Sequence, residues 1–435
     1  MLMKGAIVNL VVIYLFGVAF LRGISSAADL STTNRDCLSH FWTVADETNR
    51  PVTVVSFGDS MADSCGSISF VMMNRLVQRF GIAGYSLNNY QNATLWYTEG
   101  EAELIPPGPF WFTYHGLLRP GGAMRWEKEW SSGGVRCDRA GVFYVSYPAG
   151  GLFNLLVSTN AGPWNLALTV DAQSETPQGQ FAKVDLPLNL YRVRLEGISG
   201  TNYILGPQLL NRSSSGVHAV FADQGGISLG QVTRVPLAIR APVFQELAPD
   251  LLVWHMKEGS DQATIDGLLE CEQWWASAAT NCDILYIGTP WASVDTNSSY
   301  TISQNSLVRS IALSHDRAYV DCMTPAVSYP WMVAQGYMVD ATHLDRSGST
   351  YLANIAWDDL GFFGLRCPRS LVISQAGASL KLDYTTAVGV NYALEHSYDS
   401  STWEGISTNS GTGDILSKTI TGTAPKEMFR LRLQP

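Results

Sequence analysis

The chain has 435 residues, of which 46 % are hydrophobic and 15 % charged, and its formal net charge is −10. That apolar content is ample for two or three domains with sizeable cores. An acidic chain without a Lys/Arg cluster excludes nucleic acid and strongly anionic polymers as partners. Residues 1–4 form a short basic end, residues 5–21 are almost wholly apolar, and Ser26, Ala27 and Ala28 supply small residues for cleavage. This pattern predicts a secretory signal over 1–28, with a mature chain beginning near Asp29 and delivered to a secreted, periplasmic or cell-surface location. The alternative is a retained N-terminal anchor, since the apolar run approaches the length that spans a bilayer. No later stretch is long and apolar enough to span, so no membrane span is expected after cleavage.

Residues 52–57 are a run of apolar and β-branched side chains, the mark of a buried strand. The run stops at Gly58, followed at once by Asp59 and Ser60. Ile68, Val71, Met72, Leu76 and Phe80 then recur at helical spacing, which predicts a helix over 67–80. The Ser60 hydroxyl would thus stand on a tight turn at the carboxyl edge of a sheet, where open α/β folds place ligands. A turn or helix-capping role is the alternative for this serine.

The stretch 91–215 breaks the α/β alternation. It is rich in glycine, proline and aromatics, and its short strand-like runs at 142–147, 153–158, 166–170, 191–195 and 203–205 predict an inserted all-β domain. Trp96, Trp111, Trp126, Trp130 and Trp164 either line a sugar-binding cleft, since aromatic faces suit the apolar faces of pyranose rings, or pack as core.

From 216 to 368 the α/β pattern resumes. A strand at 217–222 ends in the glycine pair Gly225–Gly226, and a second at 249–257 runs through His255 to Lys257. A helix over 268–279, a strand at 282–289, a helix over 304–315 and a strand at 318–321 follow. The segment VDATHL at 339–344 then sets Asp340 and His343 three residues apart on a loop before a closing helix at 347–358. A serine hydroxyl needs a base, and the base is best oriented by a carboxylate; the Asp340–His343 spacing lets one short segment supply both. Strands alternating with helices predict a three-layer α/β/α sandwich with a parallel sheet, built from 29–90 and 216–368. The closing stretch 369–435, with alternating segments between Ser/Thr/Gly-rich turns, predicts a C-terminal β-sandwich module.

The seven cysteines are Cys37, Cys65, Cys137, Cys271, Cys282, Cys322 and Cys367. In an oxidising compartment Cys271 with Cys282, and Cys322 with Cys367, are plausible pairs, and the odd count leaves at least one thiol over. With no CxxC and no HExxH, no metal or other cofactor is expected.

GDS after the first strand, with DxxHL shortly before a last helix, resembles the GDSL, or SGNH, hydrolases, a family of serine esterases and acyl-carbohydrate deacetylases. The resemblance implies Ser60 as nucleophile, His343 as general base and Asp340 as the residue that orients it. It further implies an oxyanion hole built from the amides of Ser60 and Gly226, with Gly225 or Gly230 as alternatives. The family's third conserved strand normally runs into GxND, whereas this chain reads HMKEGSD. His255, Lys257 or a backbone amide near Glu258 and Gly259 would have to stand in for the asparagine, and His255 and Lys257 are expected to line the substrate. The implied function is a secreted esterase removing acyl, above all acetyl, groups from carbohydrate or another small ester through an acyl-enzyme. The alternative is a non-catalytic carbohydrate-binding or surface protein with a degenerate hydrolase core.

Overall fold

The computed structural model describes residues 35–46, 50–63, 67–87, 95–127, 136–159, 162–256, 262–293, 300–360 and six strands between 371 and 434. The expected signal segment lies outside the described residues. Two compact units emerge, one spanning 32–356 and another containing the C-terminal strands.

In the larger unit, β1 (Val52–Gly58) is buried at every position, as an unbroken apolar run demands of a strand covered on both sides. Its neighbour in sequence is β2 (Ile82–Ser86). The next stretch supplies β3 (Leu95–Glu99), β4 (Ala102–Ile105), β5 (His115–Leu118), β6 (Ala123–Glu127), β7 (Arg136–Ser146), β8 (Leu152–Thr159), β9 (Asn165–Asp171), the long β10 (Gln178–Gly197) and β11 (Asn202–Leu210). After it come β12 (Val217–Asp223), β13 (Leu251–His255), β14 (Asp283–Ile287) and β15 (Ala318–Val320).

The order β2-β12-β1-β13-β14-β15 is parallel throughout. Parallel neighbours need long crossovers, and helices provide them. α1 (Ser39–Asp46) precedes β1; a single turn α2 (Ser60–Asp63) and then α3 (Ile68–Phe80) lie between β1 and β2. α4 (Leu229–Arg234) and α5 (Leu237–Leu247) join β12 to β13, α6 (Gln262–Ala278) joins β13 to β14, and α7 (Tyr300–Ser314) joins β14 to β15. α8 (Tyr329–Ala334) and α9 (Arg346–Asp359) close the unit. Sequence periodicity missed α5, because Pro242 interrupts it; packing of Ile239, Val243, Phe244 and Leu247 into the core holds it helical nonetheless.

The all-β stretch does not form a sheet of its own. β11 pairs antiparallel with β2 and with β7, so the parallel strands continue into a mixed sheet of fifteen strands. Tyr85 of β2 shares one apolar cluster with Phe153, Val193 and Leu195 of the insert. For Trp111 and Trp126 the second of the two alternatives holds: both are buried core residues. Trp111 stacks on Phe112, which meets Phe57 of β1 edge-on. Trp164 is half-buried beneath the Arg192 guanidinium; Trp130 and the side chain of Trp96 lie outside the described residues.

Cys271 and Cys282 are not bridged, a second correction. Each is packed in the main core as a small apolar side chain, and the Cys282 thiol donates to the Asp283 carbonyl. Cys65 and Cys367 lie outside the described residues.

In the C-terminal unit six strands, β16 (Leu371–Ala376), β17 (Ser379–Thr385), β18 (Asn391–Ser397), β19 (Glu404–Ser410), β20 (Ile415–Thr421) and β21 (Met428–Gln434), form two antiparallel sheets, β16-β17-β20 and β19-β18-β21. Leu382 from one sheet meets Leu394 and Phe429 from the other in a small core, the arrangement that alternating strands adopt when each has one apolar face. Among the described residues no helix is long and apolar enough to cross a membrane.

Candidate active site

β1 delivers Ser60 to the carboxyl end of the parallel sheet. Gly58 is opposite Asp223 of β12 and His255 of β13 in register, and a Cβ there would sit 1.9 Å from the His255 carbonyl oxygen and 2.8 Å from the Ala62 Cβ. Only glycine allows the backbone to turn so close to its neighbour. Buried Asp59 then locks the turn: its Oδ1 accepts from the Met61 amide at 2.9 Å and its carbonyl from the Ala62 amide at 3.0 Å. Ser60 opens α2 with its side chain partly exposed.

Ser67 caps α3, accepting from the Phe70 amide at 3.0 Å, and its hydroxyl also donates to the Ala62 carbonyl at 2.7 Å. One side chain thereby ties α3 to the turn that carries Ser60. The capping role is the kind serine fills wherever orphan amides open a helix.

Asp340 and His343 lie on a tight loop before α9. Met338 and Leu344 form an isolated antiparallel bridge, and the Val339 amide donates to the His343 carbonyl at 2.9 Å. Inside this loop Asp340 Oδ1 accepts from the amides of Thr342 and His343, each at 2.7 Å. Asp340 Oδ2 and His343 Nδ1 are 2.8 Å apart. These bonds favour the ionised carboxylate, and the His343 amide, the His343 ring and the Thr342 amide together lower the Asp340 pKa to about 2. On the other side of the ring, His343 Nε2 stands 2.8 Å from Ser60 Oγ, across 283 residues of chain. The carboxylate assigns the tautomer: Nδ1–H donates to Asp340, which leaves Nε2 to accept from the serine hydroxyl.

The Gln224 amide donates to the Gly58 carbonyl at 2.9 Å, which binds the end of β12 to the end of β1 and sets the 224–227 loop beside the serine turn. Gly226 in that loop is exposed and has φ +80°, with nothing within 4 Å of the position a Cβ would take. Conformation rather than crowding calls for glycine there.

His255 corrects the substrate-lining expectation. It is fully buried at the end of β13, its Nδ1 is 3.4 Å from Ser69 Oγ on α3, and burial lowers its pKa to about 3. A neutral ring held inside the sheet cannot reach a substrate. Lys257, like Glu258 and Gly259, lies outside the described residues. Residues that sequence reading passed over are Met61, Ser67, Leu344 and Ser349, which line a small pocket together with Ser60 and His343. Only Ser67 carried a readable signal, a serine immediately before a helical run.

No family model matches the sequence, and no curated protein does. Among solved structures the chain is similar to a peptidoglycan O-acetylesterase at 16 % identity, over 75 % of this chain and 95 % of that one, with a TM-score of 0.59. At that identity what the two share is the fold. A putative GDSL-like lipase from Bacteroides ovatus (10 % identity, 56 % of this chain and 84 % of that one, TM-score 0.26) aligns more loosely. So does a family two carbohydrate esterase from Cellvibrio japonicus (9 %, 62 % and 99 %, 0.26).

Proposed function

We propose that this chain is an exported serine esterase of the SGNH type, with a three-layer α/β/α core, that removes acetyl or similarly small acyl groups from carbohydrate. One observation carries the reading: Ser60 Oγ, the His343 ring and the Asp340 carboxylate form a continuous hydrogen-bonded chain, with 2.8 Å at each link. Those distances lie within the reach that general-base activation of a serine requires.

In this reading His343 Nε2 takes the Ser60 proton as Oγ attacks the acyl carbonyl. Asp340 holds the imidazole and stabilises the imidazolium that forms. The tetrahedral intermediate then expels the sugar oxygen, which takes the proton from His343 and leaves as a free hydroxyl, with the acyl group on Ser60. The amides of Ser60 and Gly226 receive the developing oxyanion, a contribution worth about 10²–10³ in rate per donor. The shared fold with a peptidoglycan O-acetylesterase supports an acylated carbohydrate as substrate. The non-catalytic alternative gains nothing from Trp111 and Trp126, which are core.

The test is hydrolysis of p-nitrophenyl acetate and of an acetylated polysaccharide by the mature protein beside its Ser60→Ala variant. The expected result is turnover by the parent and a loss of about 10³-fold or more in the variant. Hydrolysis that survives the substitution removes Ser60 from the chemistry. Retention of the polysaccharide without turnover in either protein favours the binding module.

A further inference from the structure

The pocket beside the serine is lined by two apolar residues, Met61 and Leu344, by three hydroxyl-bearing residues, Ser60, Ser67 and Ser349, and by His343. Two of these hydroxyls are engaged. Ser60 Oγ is held by His343, and Ser67 Oγ both accepts from the Phe70 amide and donates to the Ala62 carbonyl. Ser349, in the first turn of α9, is different: it is 0 % exposed, and its Oγ has no hydrogen-bond partner among the described residues. A buried hydroxyl left unpaired is destabilising, and a water that bridges it to another polar group offsets most of that cost.

The pocket adjoins His343 and includes no residue of the 224–227 loop. It therefore lies toward the base and away from Gly226, one of the two amides proposed for the oxyanion; the other amide belongs to Ser60, which is part of its wall. The side of the base is where an attacking water must stand, because its proton goes to the imidazole. Resting on the esterase reading, we propose that Ser349 Oγ positions the water that hydrolyses the acyl-enzyme. In that step the water oxygen bonds to the acyl carbon while His343 Nε2 takes its proton. The tetrahedral intermediate then expels Ser60 Oγ, which recovers the proton from His343, and the carboxylic acid leaves. Ser349 is a positioning residue here; it makes and breaks no bond itself.

Because Ser349 acts only after the leaving group has gone, its removal should slow deacylation and spare acylation. With p-nitrophenyl acetate, Ser349→Ala should lower kcat about tenfold and lower KM in parallel, holding kcat/KM within about twofold of the parent. A burst of p-nitrophenolate approaching one equivalent per enzyme should precede the slow steady state. Ser349→Cys, with its weaker donor, should fall between the two and serves if the alanine variant does not fold. Equal losses in kcat and kcat/KM without a burst overturn the proposal, as does unchanged kinetics. If the parent shows no Ser60-dependent release at all, the esterase reading fails and this inference with it; Ser60-dependent turnover with unsplit kinetics overturns this inference alone.

Discussion

At the residue scale the site depends on Asp340, which does two separate things with its two oxygens. Oδ1 takes the Thr342 and His343 amides and shapes the loop, whereas Oδ2 receives the imidazole N–H. Asp340→Asn separates these tasks. The amide oxygen can still hold the loop, but the NH₂ that replaces Oδ2 cannot accept from Nδ1–H and favours the opposite tautomer. We expect kcat to fall about 10³–10⁴-fold with the thermal midpoint little changed. An activity near the parent's would show that the carboxylate does not orient the base. Because its pKa is lowered to about 2, Asp340 stays ionised to well below the usual carboxylate range. What the bonds at Asp340 add to folding is in place above about pH 4 and is lost as pH falls toward about 2. The acid limb of activity at milder pH therefore does not report this group.

At the scale of elements, the pieces that carry the candidate site are short and held by capping bonds rather than by length. α2 is a single turn locked by Asp59, α3 is capped by Ser67, and the loop of Asp340 and His343 is closed by the Met338–Leu344 bridge. Just before α8 the chain carries a strained position: Val327 has φ +58° and is 58 % exposed. A β-branched residue in the left-handed region is a genuine outlier, costing about 1–2 kcal/mol. Asparagine tolerates that conformation and, unlike glycine, does not enlarge the entropy of the unfolded chain. Val327→Asn should therefore raise stability by about 0.5–1 kcal/mol, read as a higher urea midpoint at unchanged slope. A lowered midpoint would mean that the exposed valine makes a contact worth more than the strain.

Across the whole molecule three histidines are buried and neutral: His115, His218 and His255, whose pKa values burial lowers to about 4, 3 and 3. His218 is fixed between Ser86 Oγ at 2.8 Å and Thr53 Oγ1 at 3.3 Å, and His115 Nδ1 lies 3.0 Å from the Thr113 carbonyl. The unfolded chain would protonate these rings near pH 6.5, so below that pH it binds protons that the folded chain refuses, and stability rises with pH. The stabilisation is full above about pH 6.5 and erodes as pH falls toward the folded values of about 4 and 3. Well below pH 6.5 each ring contributes a slope of up to about 1.4 kcal/mol per pH unit. Chemical denaturation at pH 7 and pH 5 should show a clear loss at the lower pH, and equal stabilities would mean that the rings titrate normally in the fold.

Much of this molecule was legible in its residue order. The apolar run at β1, the glycine that ends it and the Ser60 beyond it are local features, as is the spacing of Asp340 and His343, and local features survive being read one window at a time. The parallel strands and most of their crossover helices were legible for the same reason, because periodicity reports which face of an element is covered. Three things belong to the tertiary structure alone. The sheet continues from β2 into β11, since register between distant strands is set by packing and not by either strand's own pattern. Trp111 and Trp126 are core rather than cleft, because an aromatic side chain reads alike in both settings and its neighbours decide. The Ser349 hydroxyl is buried in the wall of the pocket that His343 also lines and has no hydrogen-bond partner among the described residues, and nothing in a single serine on a helix foretells which carbonyls the fold will bring within its reach.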